Sequence, residues 1–109
     1  MTKAGIKTML ASLKIPFEYY QFPDGTAQKT PFICFYYPSS DDFIADDKNY
    51  ATIRRLIIEL YTDTKDFTTE AQIETLLKNN NLVYVYESTY LDDERMYMTI
   101  YTTEVLLDG

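Results

Sequence analysis

Two runs near the end of the chain, LVYVYESTY over 82–90 and RMYMTIYTTEVL over 95–106, are separated only by Leu91-Asp92-Asp93-Glu94. Tyr, Val, Thr and Ile suit a pleated, half-buried surface. Two such runs joined by a short acidic connection imply an antiparallel hairpin. A lone hairpin is marginal in water, so the remaining residues must extend and cover it.

The upstream sequence supplies the means. Residues 32–37 (FICFYY) read as a strand buried on both faces or held against a partner, ended by Pro38 and Ser39-Ser40. Phe43-Ile44-Ala45 can pair briefly, and residues 46–49 (DDKN) read as a turn. Residues 50–61 (YATIRRLIIELY) fit two patterns. Ile53, Leu56, Ile57 and Leu60 match a helical stripe, whereas Leu56, Ile58 and Leu60 match one strand face, with Arg55 and Glu59 on the other. Enrichment in Tyr, Thr and Ile favours the strand. Arg54 and Arg55 then point to opposite faces, either as a surface pair or with one of them at a carboxylate or subunit contact. A short strand is expected over 17–22, followed by a loop with turn chemistry at Pro23-Asp24-Gly25.

Helices are expected over 2–14 and 67–79. In the first, Ile6, Met9, Leu10 and Leu13 line one face, and Pro16 forbids continuation. In the second, Asp66 or Thr68 can cap the start, Glu70 sits in the first turn, and Ile73, Leu76 and Leu77 face inward. Asn79-Asn80-Asn81 ends it, because Asn tolerates the left-handed conformation. The expected fold is a single α+β domain over 1–109: a mostly antiparallel sheet with two helices packed on it, order α-β-β-β-α-β-β. With 46% hydrophobic residues the chain can fill a core. The longest apolar runs are too short to span a bilayer, and no apolar segment of a secretory signal follows Lys3 and Lys7. The single Cys34 cannot form an internal disulfide and suits a reducing compartment.

The residue inventory removes most chemistry. Histidine is absent, which excludes the serine triad and most transition-metal sites. Cys34 has no histidine to activate it and lies in an apolar strand, as a structural thiol does. The three glycines form no phosphate-binding loop. The acidic stretch Asp41, Asp42, Asp46 and Asp47 fails the calcium-loop pattern: counting from Asp41, position six is Asp46 and position twelve is Thr52. It reads as a solvated loop, and Asp92, Asp93 and Glu94 read as a charged hairpin tip. No catalytic activity, metal or cofactor is expected. Net charge is −7, with Lys3, Lys7, Lys14 and Lys29 gathered in the first thirty residues and most of the acid after them. That sign opposes tight binding of nucleic acid, while the asymmetry suits head-to-tail docking of a basic patch on an acidic one. Eleven Tyr and six Phe, with no Trp, fit either half-exposed strands or an assembly surface.

Three stretches together carry a resemblance: LKIPFEYYQFPDGTAQKTPFICFYYPSSDDFIADDKNY, IIELYTDTKDFTTEAQIETLL and YVYESTYLDDERMYMTIYTTEV. Over roughly 10–106, with PFICFYYPSSDDF, ELYTDTKDF and YLDDERMY most telling, the chain resembles tail terminators of tailed phages and prophages of Gram-positive bacteria. These are also called tail completion proteins of the head–tail joining region. The resemblance implies a small α+β subunit assembling with itself into a hexameric ring. Such a ring caps the tail tube, meets the major tail protein and the head–tail connector proteins, and lets DNA pass through its channel. It implies assembly in the host bacterial cytoplasm and a final place at the tail–head junction of the virion, with no membrane. On this reading Asp41, Asp42, Asp46 and Asp47, or Asp92, Asp93 and Glu94, line the channel or the tube-facing side. Tyr36, Tyr37, Tyr50 and Tyr61 are the interface candidates, since Tyr tips tolerate both burial and water. A head–tail joining or neck adaptor on the portal side is the alternative. An acidic metal-binding or nucleic-acid-mimic regulator is the alternative of another class.

Overall fold

A computed structural model describes residues 1–22, 28–40, 43–45 and 48–107, with backbone only for 43–45 and 48–51. Helix α1 (Lys3–Ala11) is followed by strands β1 (Phe17–Tyr19), β2 (Phe32–Tyr36), β3 (Phe43–Ala45) and β4 (Lys48–Thr62), then α2 (Phe67–Asn79), β5 (Tyr84–Leu91) and β6 (Met96–Leu107). This is the expected α+β order, with the brief pairing at 43–45 formed as β3. The strands lie in the order β1-β2-β4-β6-β5, and β3 pairs with the first residues of β4 off that path. All pairings are antiparallel except β1 with β2. A parallel pair needs a long return, and residues 20–31 separate β1 from β2 in the sequence.

Several boundaries differ from the sequence expectation for local reasons. Helix α1 stops at Ala11, short of Lys14. Ser12 Oγ donates to the Met9 carbonyl at 2.6 Å, and Lys14 takes a left-handed φ of 59°. That exit turns Ile15 into the core. Strand β1 ends at Tyr19 because Tyr20 has φ 71°. Lys48 and Asn49, expected in a turn, instead pair with Ala45 and Ile44. The β5–β6 turn takes in Arg95, whose φ of 54° lets its N–H reach the Leu91 carbonyl at 2.8 Å.

Helix α2 forms where its caps place it. Asp66 accepts from Thr69 N at 3.0 Å and Thr69 Oγ1 at 2.6 Å, and these bonds hold its carboxyl below the usual range. At the other end Asn81 is left-handed (φ 58°). Asn81 N donates to Lys78 O and Leu82 N to Leu77 O, a Schellman closure with Leu82 buried in the same core as Leu77.

Both helices pack on one face of the sheet. Ile6 and Leu10 of α1 and Ile73 and Leu77 of α2 meet Ile33 and Phe35 of β2, Leu56, Ile58 and Leu60 of β4, and Tyr101 and Val105 of β6. The alternation of β4 thus settles its helix–strand ambiguity, with the Leu56, Ile58, Leu60 face inward as the strand reading requires.

One polar cluster sits in this layer. Glu70 is only 3% exposed. Its carboxylate accepts from Lys65 Nζ (2.7 Å), Tyr86 Oη (2.9 Å) and Thr99 Oγ1 (3.2 Å). Tyr101, wholly buried, donates to Glu74 Oε2 at 2.9 Å, and burial pushes its hydroxyl pKa up. These bonds tie α2 to β5 and β6. Replacing Glu70 by Ala removes the counter-ion of Lys65, which keeps only its bonds to Tyr86 Oη and Ser88 Oγ, and the acceptor of the Tyr86 and Thr99 hydroxyls. Lys65 keeps some contact with water, so the expected loss is roughly 3 kcal/mol, the low end for a broken buried pair. Urea unfolding of Glu70→Ala against wild type checks it.

Candidate assembly surface

The period of two that buries one face of the sheet sends every other residue to the opposite face, where neither described helix packs. Phe32, Cys34 and Tyr36 of β2 stand there beside Tyr61, Glu59 and Ile57 of β4. Those three in turn pair with Met98, Ile100 and Thr102 of β6. Val85 and Leu106 on the same face are 62% and 52% exposed. Arg55, Glu87 and Glu104 share this face, so its half-exposed apolar and aromatic residues are interspersed with charge, as in a contact surface that is also wetted.

At the β1 side this face deepens into a groove of about 550 Å³. Phe22 meets Phe32 edge-on at 5.4 Å between ring centres, and Phe32 stacks on Tyr61 at 4.7 Å. Met96 and Glu94, from the β5–β6 hairpin, form the other wall. Glu59 lies in it, half-buried. Its two oxygens accept from Tyr61 Oη at 2.8 Å and Tyr36 Oη at 3.0 Å. Burial, then the hydrogen bond to Glu59, lifts the Tyr36 pKa to about 12, and the same causes raise Tyr61. Both hydroxyls therefore stay donors at any physiological pH.

Cys34, beneath the groove, is buried, and burial followed by the Glu59 and Glu18 charges raises its pKa to about 11. It is a packed, protonated thiol rather than a nucleophile. A larger cleft of about 750 Å³ runs between the end of α1 and the start of α2, past Leu13, Phe67 and Gln72, and among the described residues no titratable side chain lines it.

The residues singled out in the sequence separate in space. Tyr36 and Tyr61 come together at Glu59. Tyr37 lies just past β2 on the helix side, its ring edge-on to Phe35, and its hydroxyl is buried with no partner among the described residues. Tyr50 belongs to β4, but its side chain lies outside the described residues, as do Asp41, Asp42, Asp46 and Asp47 entirely. Asp92, Asp93 and Glu94 are exposed at the β5–β6 tip, and Glu94 reaches the groove. Ala45 and Lys48, which flank Asp46 and Asp47, pair at the start of β4, the far end from that tip. Glu59 is the residue that sequence reasoning left as a surface charge. Its shared face with Tyr61 and Ile57 was the available signal.

Neither family models nor curated proteins match this sequence.

Two outcomes test the surface. The raised Cys34 pKa implies roughly a hundredfold less thiolate than an unperturbed thiol. A thiol reagent at pH 8 should therefore label the native chain far more slowly than the unfolded one. Because this pKa is raised on folding, its contribution to stability is intact below the ordinary thiol pKa and falls away as pH climbs toward about 11. Tyr37→Phe removes a buried hydroxyl that has no partner among the described residues, so thermal unfolding should show unchanged or higher stability, by up to about 1 kcal/mol.

Proposed function

We propose that this chain is a non-enzymatic structural subunit of a phage tail. Copies of it would close the end of the tail tube as a ring and present a docking surface to the head connector. The observation that carries the proposal is the open sheet face, which presents Phe32, Tyr36, Tyr61, Ile57, Met98 and Ile100 among a few charges while both described helices occupy the other side. Such a face suits a subunit completed by neighbours. The resemblance in PFICFYYPSSDDF, ELYTDTKDF and YLDDERMY supplies the phage tail as the setting.

The charge balance fits the same role. Exposed acid, such as Asp92 and Asp93 at the hairpin tip, would repel DNA phosphates in a channel, so the genome passes without being held. Tyr36 and Tyr61 would be contact residues between subunits or toward the tube.

Multi-angle light scattering of the full chain, alone and mixed with tubes of its major tail protein, tests the proposal. A ring in solution, or one that forms on tube ends, is the expected result. Binding to purified heads but not to tubes would move the protein to the portal side as an adaptor. Binding to neither would overturn the structural role.

A further inference from the structure

We propose that the aromatic groove around Glu59 receives the basic flank of α1 from a second copy of this chain, so that subunits join helix layer to open face. The proposal rests on the self-association in the reading above and is independent of the tail.

The groove has the chemistry of a cation receptor. Both Glu59 oxygens are held by neutral donors, Tyr36 and Tyr61, and each oxygen keeps a further lone pair for an incoming N–H. Among the described residues no Lys or Arg pairs with Glu59, and none lines the groove. Aromatic faces flank the carboxylate: Phe32 stacked on Tyr61, and Tyr20 beside Tyr36 at 5.0 Å between ring centres. Ring faces of this kind attract ammonium groups. Glu94 on the groove wall adds a second negative charge. Glu59 is satisfied by its two phenols in the isolated subunit, and an arriving cation would add a charge-assisted hydrogen bond to it.

The chain carries a matching donor. Residues 1–17 contain Lys3, Lys7 and Lys14 and no Asp or Glu, in a molecule of net charge −7. Lys3 and Lys7 are exposed and one helical turn apart, beside the Ile6 and Leu10 face that binds the core. Lys65, by contrast, is already committed to Glu70. The helix layer and the groove lie on opposite faces of one sheet, so a subunit cannot satisfy its own groove. A contact between two different patches is heterologous, and it repeats into a ring where its rotation closes.

Sedimentation velocity of the full chain, at low and high salt, reads the contact. Two double variants are compared: Lys3→Glu with Lys7→Glu, and Glu59→Gln with Glu94→Gln. Circular dichroism confirms that each folds, and Glu94→Lys alone, at an exposed tip, serves as a check that does not disturb the groove floor. Each double variant alone should associate about tenfold or more weakly than wild type. Mixed together they should form a two-chain species and nothing larger, since one retains a working groove and the other a working helix. Salt should weaken the wild-type assembly. Variants that assemble like wild type, or a mixture that forms no pair, would overturn the contact. If wild type is monomeric in solution, the same variants are scored for occupancy of tube ends. A wild type that self-associates in neither setting also overturns the contact. Assembly that responds to the charges but ignores tail tubes keeps this contact and removes the tail reading. Tube capping that is indifferent to the charges does the reverse.

Discussion

The unbroken register between β4 and β6, from Thr52 opposite Leu107 to Thr62 opposite Tyr97, is the constraint on which the molecule depends. A slip of one residue would send Leu56, Ile58 and Leu60 to the open face and bring Glu59 and Tyr61 under the helices. The core and the groove are therefore two consequences of one alignment. The register holds because both sides agree: β6 offers Thr99, Tyr101, Thr103, Val105 and Leu107 to the interior, all buried. Tyr101 then fixes the helix above it through Glu74, so packing and hydrogen bonding select the same pairing.

Two glutamates on opposite sides of this sheet show how surroundings divide one chemistry between two tasks. Glu70 has a lysine within 2.7 Å and is enclosed, so its charge is spent inside the subunit, where it holds α2 to β5 and β6. Glu59 has two phenols and an open groove, so its charge still faces outward. The first arrangement belongs to folding. The second leaves a hydrogen-bonded carboxylate with acceptor capacity turned toward the groove.

The parts of the fold legible in the sequence are those written by neighbours along the chain. Helix α2 follows from Asp66 and the Asn-rich end, and the β5–β6 hairpin from two alternating runs with an acidic gap. The early end of α1 and of β1 could not be read, because Lys14 and Tyr20 adopt left-handed backbone without being glycine. The parallel partnership of β1 was hidden for another reason, since the pattern of a strand does not name its neighbour. The same limit applies to the site. Tyr36 and Tyr61 stood out by type, yet they converge on Glu59 only because β2 and β4 are adjacent. Glu70, readable as a first-turn acid suited to the helix dipole, proved to be a buried hub through Lys65, Tyr86 and Thr99, which no local window contains.

The same β4–β6 alignment also sets a timetable. Its partners are separated in sequence by all of α2 and β5, so the central ladder closes a long loop before any core contact rewards it. Chains dominated by such distant pairings fold slowly, in milliseconds to seconds rather than microseconds. Throughout that interval the face that ends up open is already apolar and already strand-forming. A crowd of nascent copies thus faces a race between finishing each sheet and adhering through it, and the charges spaced along that face, Glu59, Glu87 and the cross-strand pair Arg55 and Glu104, oppose the second process by keeping water on it.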